Sequence, residues 1–320
     1  MSSVASLDLV QEDIRKVEER MYAQADRHHP ELQAAIKHLV VSGGKRVRPA
    51  VTLLVGEMLG GEKERLITLA AAIEMLHTAT LVHDDLIDGS LLRRGIPTIN
   101  AQWTPGATVL TGDFIFATAA RLAAETDSVR VMRLFANTLA VIVNGEITQM
   151  FRSPGLASRD DYYRRIYAKT ASMFELATSA AAVLAESDEM TIEALRKFGY
   201  EIGMAFQIVD DILDFTGDQV RVGKPVASDL RQGLITLPAL YYYEAEPADD
   251  RMQAVTDGTV TDKELDALVT DIRKSGATQQ ALDEANDFVN RGVSELNKLQ
   301  DNAAQRSLLE LAYFIVDREV

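Results

Sequence analysis

Two aspartate-rich segments carry the residue types that most clearly suggest chemistry. They are Asp84-Asp85-x-x-Asp88 and Asp210-Asp211-x-x-Asp214, and each ends an apolar run that is typical of a buried helix. Carboxylates in the last turn of a helix lie at the negative end of its macrodipole. A cation should therefore compensate them, and a divalent metal ion is the simplest candidate.

The spacing of polar residues on these two helices indicates that they share faces. At about 100° per residue, His77, Asp84 and Asp88 lie within about 40° of one another. Gln207 likewise shares a face with the last two aspartates of the second motif. A single motif of this kind is commonly a solvated helix end. Two motifs, each after an apolar helix and each followed by basic residues, indicate a functional site.

Basic residues accompany both motifs and form one further cluster. The loop Gly43-Gly44-Lys45-Arg46-Val47-Arg48 precedes an apolar helix, so its amides and cations suit an anion, although a lone basic loop is commonly just solvated. Lys169 stands before an apolar run and is out of place there unless its ammonium meets an anion. The basic groups of interest are Lys45, Arg48, Arg93, Arg94, Lys169 and Lys224.

The elements that must position these residues are predicted to be helices. We expect them at 7–27, 30–41, 50–59, 69–88, 107–124, 129–151, from about 158, at 171–185 and at 203–214, with several amphipathic helices after 239. Thr261-Asp-Lys-Glu264 is a capping box, whereas 95–98 and 215–238 are typical of loops. The fold class is therefore all-α. We expect a single domain over 1–320, a helical bundle in which the two helices that carry the motifs face each other across a central cavity.

Composition and charge exclude several function classes. The chain has 320 residues, 47% of them hydrophobic and 25% charged, as in an ordinary globular protein. Its net charge of −15 argues against nucleic acid and against an anionic membrane surface. The absence of cysteine excludes disulfides and thiolate chemistry. We see neither a signal peptide nor an uninterrupted apolar run of about 18 residues, so we expect no transmembrane segment and a cytoplasmic location.

The combined pattern favours magnesium and phosphate. Carboxylates without histidine or cysteine partners are hard oxygen ligands that suit Mg²⁺, which normally shares its coordination with phosphate oxygens. The basic residues exceed what one phosphate group needs, which indicates two polyphosphate groups. Apolar helices around them would suit a hydrocarbon tail, and also a carbocation that must be kept from water.

These motifs resemble the trans-isoprenyl diphosphate synthases, or polyprenyl synthetases, and bacterial medium- and long-chain enzymes in particular. The resemblance covers nearly the whole chain and rests on GGKRVRP, LHTATLVHDDLID with LRRGIPT, KTASMFELA, and GMAFQIVDDILDFTGD with GKP and SDLRQGLITLP. It implies an all-α homodimer that condenses isopentenyl diphosphate with an allylic diphosphate. The allylic diphosphate would ionise first, and the alkene of isopentenyl diphosphate would then attack the cation.

The resemblance also implies a role for each matched residue. Asp84, Asp88 and Asp210 would be the principal Mg²⁺ ligands, and three Mg²⁺ ions would be bound together with substrate. Asp85, Asp211 and Asp214 would support them, and Asp214 is also a candidate metal ligand. Arg93, Lys169 and Lys224 would hold the allylic diphosphate, with Thr170 and Gln207 beside the developing cation. Gly44, Lys45, Arg48, His77 and Arg94 would hold isopentenyl diphosphate.

Product length is a separate expectation. In this family, bulky residues four and five positions before the first aspartate block the tail cavity, and here those positions are the small Thr80 and Ala79. The first motif also lacks the two-residue insertion of bacterial farnesyl-making enzymes. We therefore expect a product of roughly C30 to C50, although Met75 and Leu76, one turn deeper, could limit the cavity. The alternative is a geranylgeranyl or farnesyl diphosphate synthase.

Three other functions compete with this interpretation. A class I terpene cyclase shares the first motif, but its second motif is typically based on Asn, Ser and Glu and not on Asp210-Asp211-x-x-Asp214. A non-catalytic regulatory subunit usually loses aspartates or arginines, and none is missing here. The third alternative, that this chain is the catalytic subunit of a heteromeric synthase, is not excluded by the sequence. Ala227 and Leu234 depart from the family's common glycine and lysine, which affects details of the loop after the second motif.

Overall fold

The chain folds almost entirely into helices, as predicted. The computed structural model describes residues 5–26, 28–41, 44–93, 95–151, 155, 158–216 and 226–317. After a 3₁₀ turn at Ala5–Val10, the helices of the first half are α1 (Gln11–Ala23), α2 (Pro30–Val41), α3 (Val47–Leu59), α4 (Lys63–Ile87), α5 (Ile99–Gln102), α6 (Pro105–Ala124) and α7 (Val129–Met150). The all-α fold class is confirmed.

The second half continues in the same way. Its helices are α8 (Arg159–Ile166), α9 (Ser172–Leu184), α10 (Glu189–Thr216), α11 (Ser228–Arg231), α12 (Leu237–Ala245), α13 (Asp250–Thr256), α14 (Asp262–Lys274), α15 (Ala277–Leu296) and α16 (Ala303–Val316). A π-helical turn, Tyr167–Ala171, joins α8 to α9. The capping box at Thr261 is present, since its hydroxyl accepts from the Glu264 amide while the Glu264 carboxylate accepts from the Thr261 amide.

Two segments differ from the predicted loops. Residues 92–93 and 96–97 form the two short antiparallel strands of a hairpin, β1 (Leu92–Arg93) and β2 (Ile96–Pro97), in which Arg93 is paired with Ile96. The predicted loop 215–238 contains the short helix α11 and the start of α12, while residues 217–225 lie outside the described part of the chain.

The chain forms two compact units, one for each aspartate motif. The first-motif unit comprises Met1–Leu139, Met173–Gly199 and Glu295–Leu311. The second-motif unit comprises Ala140–Ser172, Tyr200–Ser294 and Ala312–Val320.

Helix α4 is the centre of the first-motif unit. Helices α1, α3 and α6 pack around it, and nearly all of its residues from Leu66 to Val82 are buried. Helix α6 approaches α4 closely because Gly112 has no side chain, and a Cβ there would collide with the His83 ring. By length and composition both α4 and α6 could cross a membrane, but 78% of the most apolar window of α4 is buried inside the protein, as in a core helix, against 44% for α6.

The second-motif unit builds its core from residues 200–216 of α10 and from the amphipathic helices between 250 and 294. Leu265, Leu268 and Ile272 lie on the buried face of α14. Tyr162 on α8 and Phe215 on α10 are fully buried. This core supports the end of α10, where the second motif lies.

Candidate active site

The first motif occupies the last turn of α4, as its spacing predicted. Asp84 is half-buried, Asp85 is buried, and Asp88 is exposed. The backbone N–H of Asp88 donates to the Asp84 carbonyl at 2.8 Å, so the helical geometry extends through Asp88. Gly89 then ends the helix with a left-handed φ of 63°, which glycine adopts without strain.

Arg93 is the cation that compensates the first motif, and it does so at one aspartate. Its Nε donates to the two carboxylate oxygens of Asp85 at 3.0 and 3.1 Å, and its Nη2 donates to Oδ1 at 2.8 Å. The hairpin that carries Arg93 is fixed by Thr98, whose hydroxyl donates to the Ser90 carbonyl at 2.8 Å. Asp85 therefore orients the guanidinium of Arg93, which charge-assisted bonds of this geometry hold firmly.

The basic loop before α3 divides into exposed and buried residues. Gly44 and Lys45 are exposed, and Arg48 is half-buried with its guanidinium 5.1 Å from the centre of the Phe174 ring. Arg46, which belongs to the same basic run, is only 7% exposed. Nothing in the run of basic residues predicts this inward orientation. His77 is half-buried on α4, and Arg94 lies outside the described residues.

In the second-motif unit, Asp211 is the centre of a buried hydrogen-bond chain. Thr170 Oγ1 donates to Gln207 Oε1 at 2.5 Å, and Gln207 Nε2 donates to Asp211 Oδ1 at 2.8 Å. The Tyr162 hydroxyl donates to Asp211 Oδ2, also at 2.8 Å. The chain joins three predicted site residues, and it adds Tyr162, which sequence reasoning missed because nothing in its spacing marked it.

Burial controls the protonation of this network. Loss of solvation raises the pKa of Asp211 to about 7, and the negative charge of Asp229 adds to the increase, while the hydrogen bonds from Gln207 and Tyr162 act in the opposite direction. Burial, together with the charge of Asp211, raises the pKa of the Tyr162 hydroxyl well above its ordinary value. Tyr162 therefore acts as a permanent donor to Asp211.

The other two aspartates of the second motif have different surroundings. Asp210 is half-buried. Asp214 accepts hydrogen bonds from Ser228 N and Ser228 Oγ at 3.0 and 2.7 Å and from Asp229 N at 3.1 Å. Both of its carboxylate oxygens thus bind the start of α11, a structural role that the sequence did not predict.

Lys169 lies in the π-helical turn between α8 and α9. Its side chain is exposed, although Ala168 and Thr170 on either side are buried. The Ser172 N–H donates to the Tyr167 carbonyl, five residues back, which is the wider turn of a π-helix. Such turns occur frequently at functional sites. Lys224, the other lysine predicted near this motif, lies outside the described residues.

The two positions predicted to control product length lie inside the first-motif unit. Ala79 is fully buried, and Thr80 is 9% exposed with its hydroxyl donating to the His77 carbonyl at 2.7 Å. Met75 and Leu76, one turn deeper, are also buried.

The acidic residues fit a metal ion that is shared with a substrate. Within the part of the chain that the structure describes, no three Asp, Glu or His side chains are grouped closely enough to hold an ion by themselves. Asp84 and Asp88, four residues apart in the last turn of α4, offer oxygen ligands only. Mg²⁺ is typically bound in this way, through one or two carboxylates, with water and phosphate oxygens completing its coordination.

Comparison with known proteins decides the family. The polyprenyl synthetase family model matches residues 29–272. The chain belongs to the polyprenyl synthetase family. It is 34% identical to octaprenyl diphosphate synthase of Haemophilus influenzae, over 98% of this chain and 97% of that protein. It is 35% identical to heptaprenyl diphosphate synthase component 2 of Geobacillus stearothermophilus over the full length of both.

A solved structure gives the same assignment for the fold. The polyprenyl synthase of Caulobacter crescentus, crystallised with calcium and isoprenyl diphosphate, superposes with a TM-score of 0.93 at 35% identity, covering 99% of this chain and 98% of that one. This polyprenyl synthetase is therefore a prenyltransferase with the all-α isoprenoid synthase fold, and its family implies dependence on a divalent metal.

Proposed function

We propose that this enzyme condenses isopentenyl diphosphate with an allylic diphosphate to give an all-trans polyprenyl diphosphate of roughly C30 to C50. The observation that carries the proposal is the end of α4. There Asp84 and Asp88 present oxygen ligands one turn apart, while Asp85 aligns the guanidinium of Arg93 through three hydrogen bonds. Metal-binding carboxylates beside an oriented cation are what a diphosphate requires.

Asp84, Asp88 and Asp210 would hold Mg²⁺, three ions being bound when substrate is present. When bound, Mg²⁺ neutralises charge that develops on a departing diphosphate. We assign Asp214 to anchoring the chain at 228–229, because both of its carboxylate oxygens accept hydrogen bonds there. Asp211 is assigned to orienting Gln207.

The basic residues divide between the two substrates. Arg93, Lys169 and Lys224 would bind the allylic diphosphate. Gly44, Lys45, Arg48, His77 and Arg94 would bind isopentenyl diphosphate. This division keeps the leaving diphosphate and the diphosphate that stays on the product under separate groups of cations.

Thr170 and Gln207 would stabilise the allylic cation through their oxygens. The amide of Gln207 is orientated by its neighbours, since Oε1 accepts from Thr170 while Nε2 donates to Asp211. The two hydrogen bonds fix the orientation of the Thr170 and Gln207 oxygen atoms. Little reorganisation of these atoms is therefore needed when positive charge develops on the substrate. The proton lost after carbon–carbon bond formation would pass to the released diphosphate.

The long product is supported by the small side chains at Ala79 and Thr80. Named relatives at 34–35% identity make octaprenyl and, as component 2, heptaprenyl diphosphate. Farnesyl diphosphate is a suitable allylic primer for a product of this length.

The proposed assembly is a homodimer in the cytoplasm. Large apolar side chains are exposed on the surface of the first-motif unit, with Leu110 on α6 69% exposed and Val129 at the start of α7 71% exposed. Burying such a surface against a second copy would remove it from water. Sedimentation of wild type and of Leu110→Glu tests this: a dimer that the substitution weakens supports the proposal, and a monomeric wild type refutes it.

Product analysis tests the reaction itself. Purified protein, Mg²⁺, labelled isopentenyl diphosphate and farnesyl diphosphate are incubated, and product lengths are read by mass spectrometry, with a chelator as control. A chelator-sensitive ladder that reaches C30 or beyond supports the proposal. A stop at C20 would retain the reaction and refute the product length. Absence of any product would refute catalysis by this chain alone and point to a second subunit, as the designation "component 2" indicates for the Geobacillus relative.

A further inference from the structure

Arg46 is buried between two residues that are proposed to bind isopentenyl diphosphate. Its side chain is 7% exposed, whereas Lys45 beside it is exposed and Arg48 is half-buried. Arginine is almost never buried unless it is paired. The contacts of Arg46 therefore show why the chain places it inward.

Three protein acceptors hold the guanidinium of Arg46. Its Nη1 donates to Glu74 Oε1 at 2.8 Å, and its Nε donates to Glu18 Oε1 at 2.9 Å. Its Nη2 donates to the Val40 carbonyl at 2.5 Å. Glu74 is itself only 5% exposed, so Arg46 compensates a buried carboxylate on α4. One side chain thus joins the basic loop to α1, to the end of α2 and to α4.

Burial alone would lower the pKa of Arg46, but the charges and hydrogen bonds of Glu74 and Glu18 outweigh it and raise the pKa above its ordinary value. The guanidinium is charged at every pH at which the protein is folded. The contact with Glu74 is an ion pair between two buried side chains.

The backbone of Arg46 is also unusual. Its φ of 52° and ψ of 37° lie in the left-handed region, which residues other than glycine rarely adopt. Arg46 is the last residue before α3, and its carbonyl accepts from the Ala50 amide at 3.0 Å. A backbone of this kind persists only where the surrounding structure determines it, and strained residues of this kind cluster at functional sites.

Helix α4 connects this ion pair to the proposed substrate site. Glu74 lies three residues before His77 and ten before Asp84 on the same continuous helix. The Arg46–Glu74 pair therefore sets the position of the loop relative to the helix that carries the first motif.

We propose that Arg46 is a positioning residue, which acts through Glu74 to hold Lys45 and Arg48 where they bind the diphosphate of isopentenyl diphosphate. This inference rests on the proposed function. Arg46 does not act by its own charge on the substrate, because its guanidinium faces Glu74, Glu18 and the Val40 carbonyl.

Glu74 separates positioning from simple electrostatics. Replacing Glu74 by Gln removes a negative charge from the surroundings of an anion site. If long-range charge alone mattered, isopentenyl diphosphate would bind more tightly to Glu74→Gln. If the ion pair positions the loop, binding becomes weaker.

The experiment compares KM for both substrates in wild type, Glu74→Gln and the double variant Arg46→Met/Glu74→Leu. The double variant removes both buried charges together, which is commonly neutral for stability, whereas removing one leaves the other uncompensated. We expect KM for isopentenyl diphosphate to rise about tenfold or more in both variants, because small displacements of substrate-binding groups have effects of this size. KM for the allylic diphosphate should change less than about twofold.

Arg251→Met is the matched control. Arg251 also joins two carboxylates, Asp249 at 2.6 Å and Asp271 at 2.8 Å, but it lies on α13 in the second-motif unit. The substitution Arg251→Met should lower the midpoint temperature of thermal unfolding without changing the ratio of the KM values for the two substrates.

Hydrogen–deuterium exchange gives a readout that needs no substrate. Amides of residues 45–48 and of Ala50 should exchange faster in Glu74→Gln and in the double variant than in wild type or Arg251→Met. Faster exchange together with the selective rise in KM supports the inference. If the wild-type enzyme turns over normally but the variants have an unchanged or lower KM for isopentenyl diphosphate, the role of Arg46 is refuted and the proposed function stands. A wild-type protein that does not use isopentenyl diphosphate would overturn the proposed function and this assignment with it.

Discussion

The substitution Tyr162→Phe separates the structural and catalytic consequences of the buried network around Asp211. Tyr162 is fully buried, and its hydroxyl donates to a carboxylate that is 4% exposed. Phenylalanine keeps the ring and removes only the donor. Asp211 would then retain the hydrogen bond from Gln207 and lose the one from Tyr162.

The expected loss of stability follows from these contacts. Asp211 is ionised above its pKa of about 7. A hydrogen bond to such a charged group contributes about 1.5–3 kcal/mol, and leaving a buried acceptor without its donor takes the loss towards the upper end when stability is measured at about pH 8. Losing the Tyr162 hydrogen bond also removes one of the two hydrogen bonds that, together with the charge of Arg165, lower the pKa of Asp211. The carboxyl therefore becomes more protonated at neutral pH, its interaction with Gln207 weakens, and kcat should fall about tenfold or more because the amide is no longer held.

Tyr242→Phe is the matched control for this experiment. The Tyr242 hydroxyl donates to Asp249 Oδ2 at 2.7 Å, and Tyr242 is 6% exposed. This bond also goes to a charged carboxylate, but Asp249 keeps its contacts with Arg251, so the expected loss lies at the lower end of the same range, about 1.5 kcal/mol. Urea unfolding and steady-state kinetics are measured for both variants. Equal losses of stability would refute the burial argument, and an unchanged kcat in Tyr162→Phe would refute the role of Asp211 in orienting Gln207.

Three further outcomes are expected. Asp88→Asn should lower kcat by about a hundredfold or more, because Asp88 is proposed to bind metal, and should leave the free energy of unfolding unchanged, because Asp88 is exposed. The control is Asp287→Asn, at another exposed aspartate. A fully active Asp88→Asn would contradict the assignment. Ala79→Phe should shorten the products seen by mass spectrometry; unchanged lengths, or mere destabilisation from overpacking, would count against a product cavity at this buried position. The hydrogen bond from Arg251 holds the pKa of Asp249 at about 2, below its ordinary 3.8, so this carboxylate contributes about 2 kcal/mol above pH 4 that is lost as pH falls through 2. The stability difference between wild type and Arg251→Met in urea should shrink on acidification by the part of this contribution that the Arg251 side chain provides, the rest coming from the Tyr242 hydroxyl and the backbone amide. A constant difference would show that the pair is not the source.

The helices and the two motifs could be predicted from sequence because local patterns specify them. Apolar runs that end in aspartates gave α4 and α10, and the capping box at Thr261 gave the start of α14. The observed bounds differ from the predicted ones where the first turns are polar. Helix α4 begins at Lys63, after the glycines at 60 and 61 and the N-cap residue Glu62, and not at 69. The spacing of Asp84 and Asp88 sufficed because one continuous helix carries both.

Contacts between distant segments could not be predicted. Arg46 and Glu74 are 28 residues apart, and nothing in a run of basic residues indicates which of them faces inward. Tyr162 and Asp211 are 49 residues apart. The hairpin that aligns Arg93 was missed because its strands have two residues each, too few for an alternating pattern. Tertiary packing determines all of these contacts.

The π-helical turn at Lys169 has a consequence for how this segment tolerates insertions and deletions. Relative to a uniform α-helix, the turn holds one extra residue. The wider turn takes up this residue locally, so Ser172 keeps, relative to Tyr162, the helical phase that an α-helix one residue shorter would give it. Deleting Lys169 alone would therefore be compatible with α-helical geometry through the junction, and helix content and the faces of the helical residues on either side would hardly change. The segment would tolerate this deletion in its fold and lose only the lysine, so a correctly folded deletion variant would isolate the contribution of that one side chain.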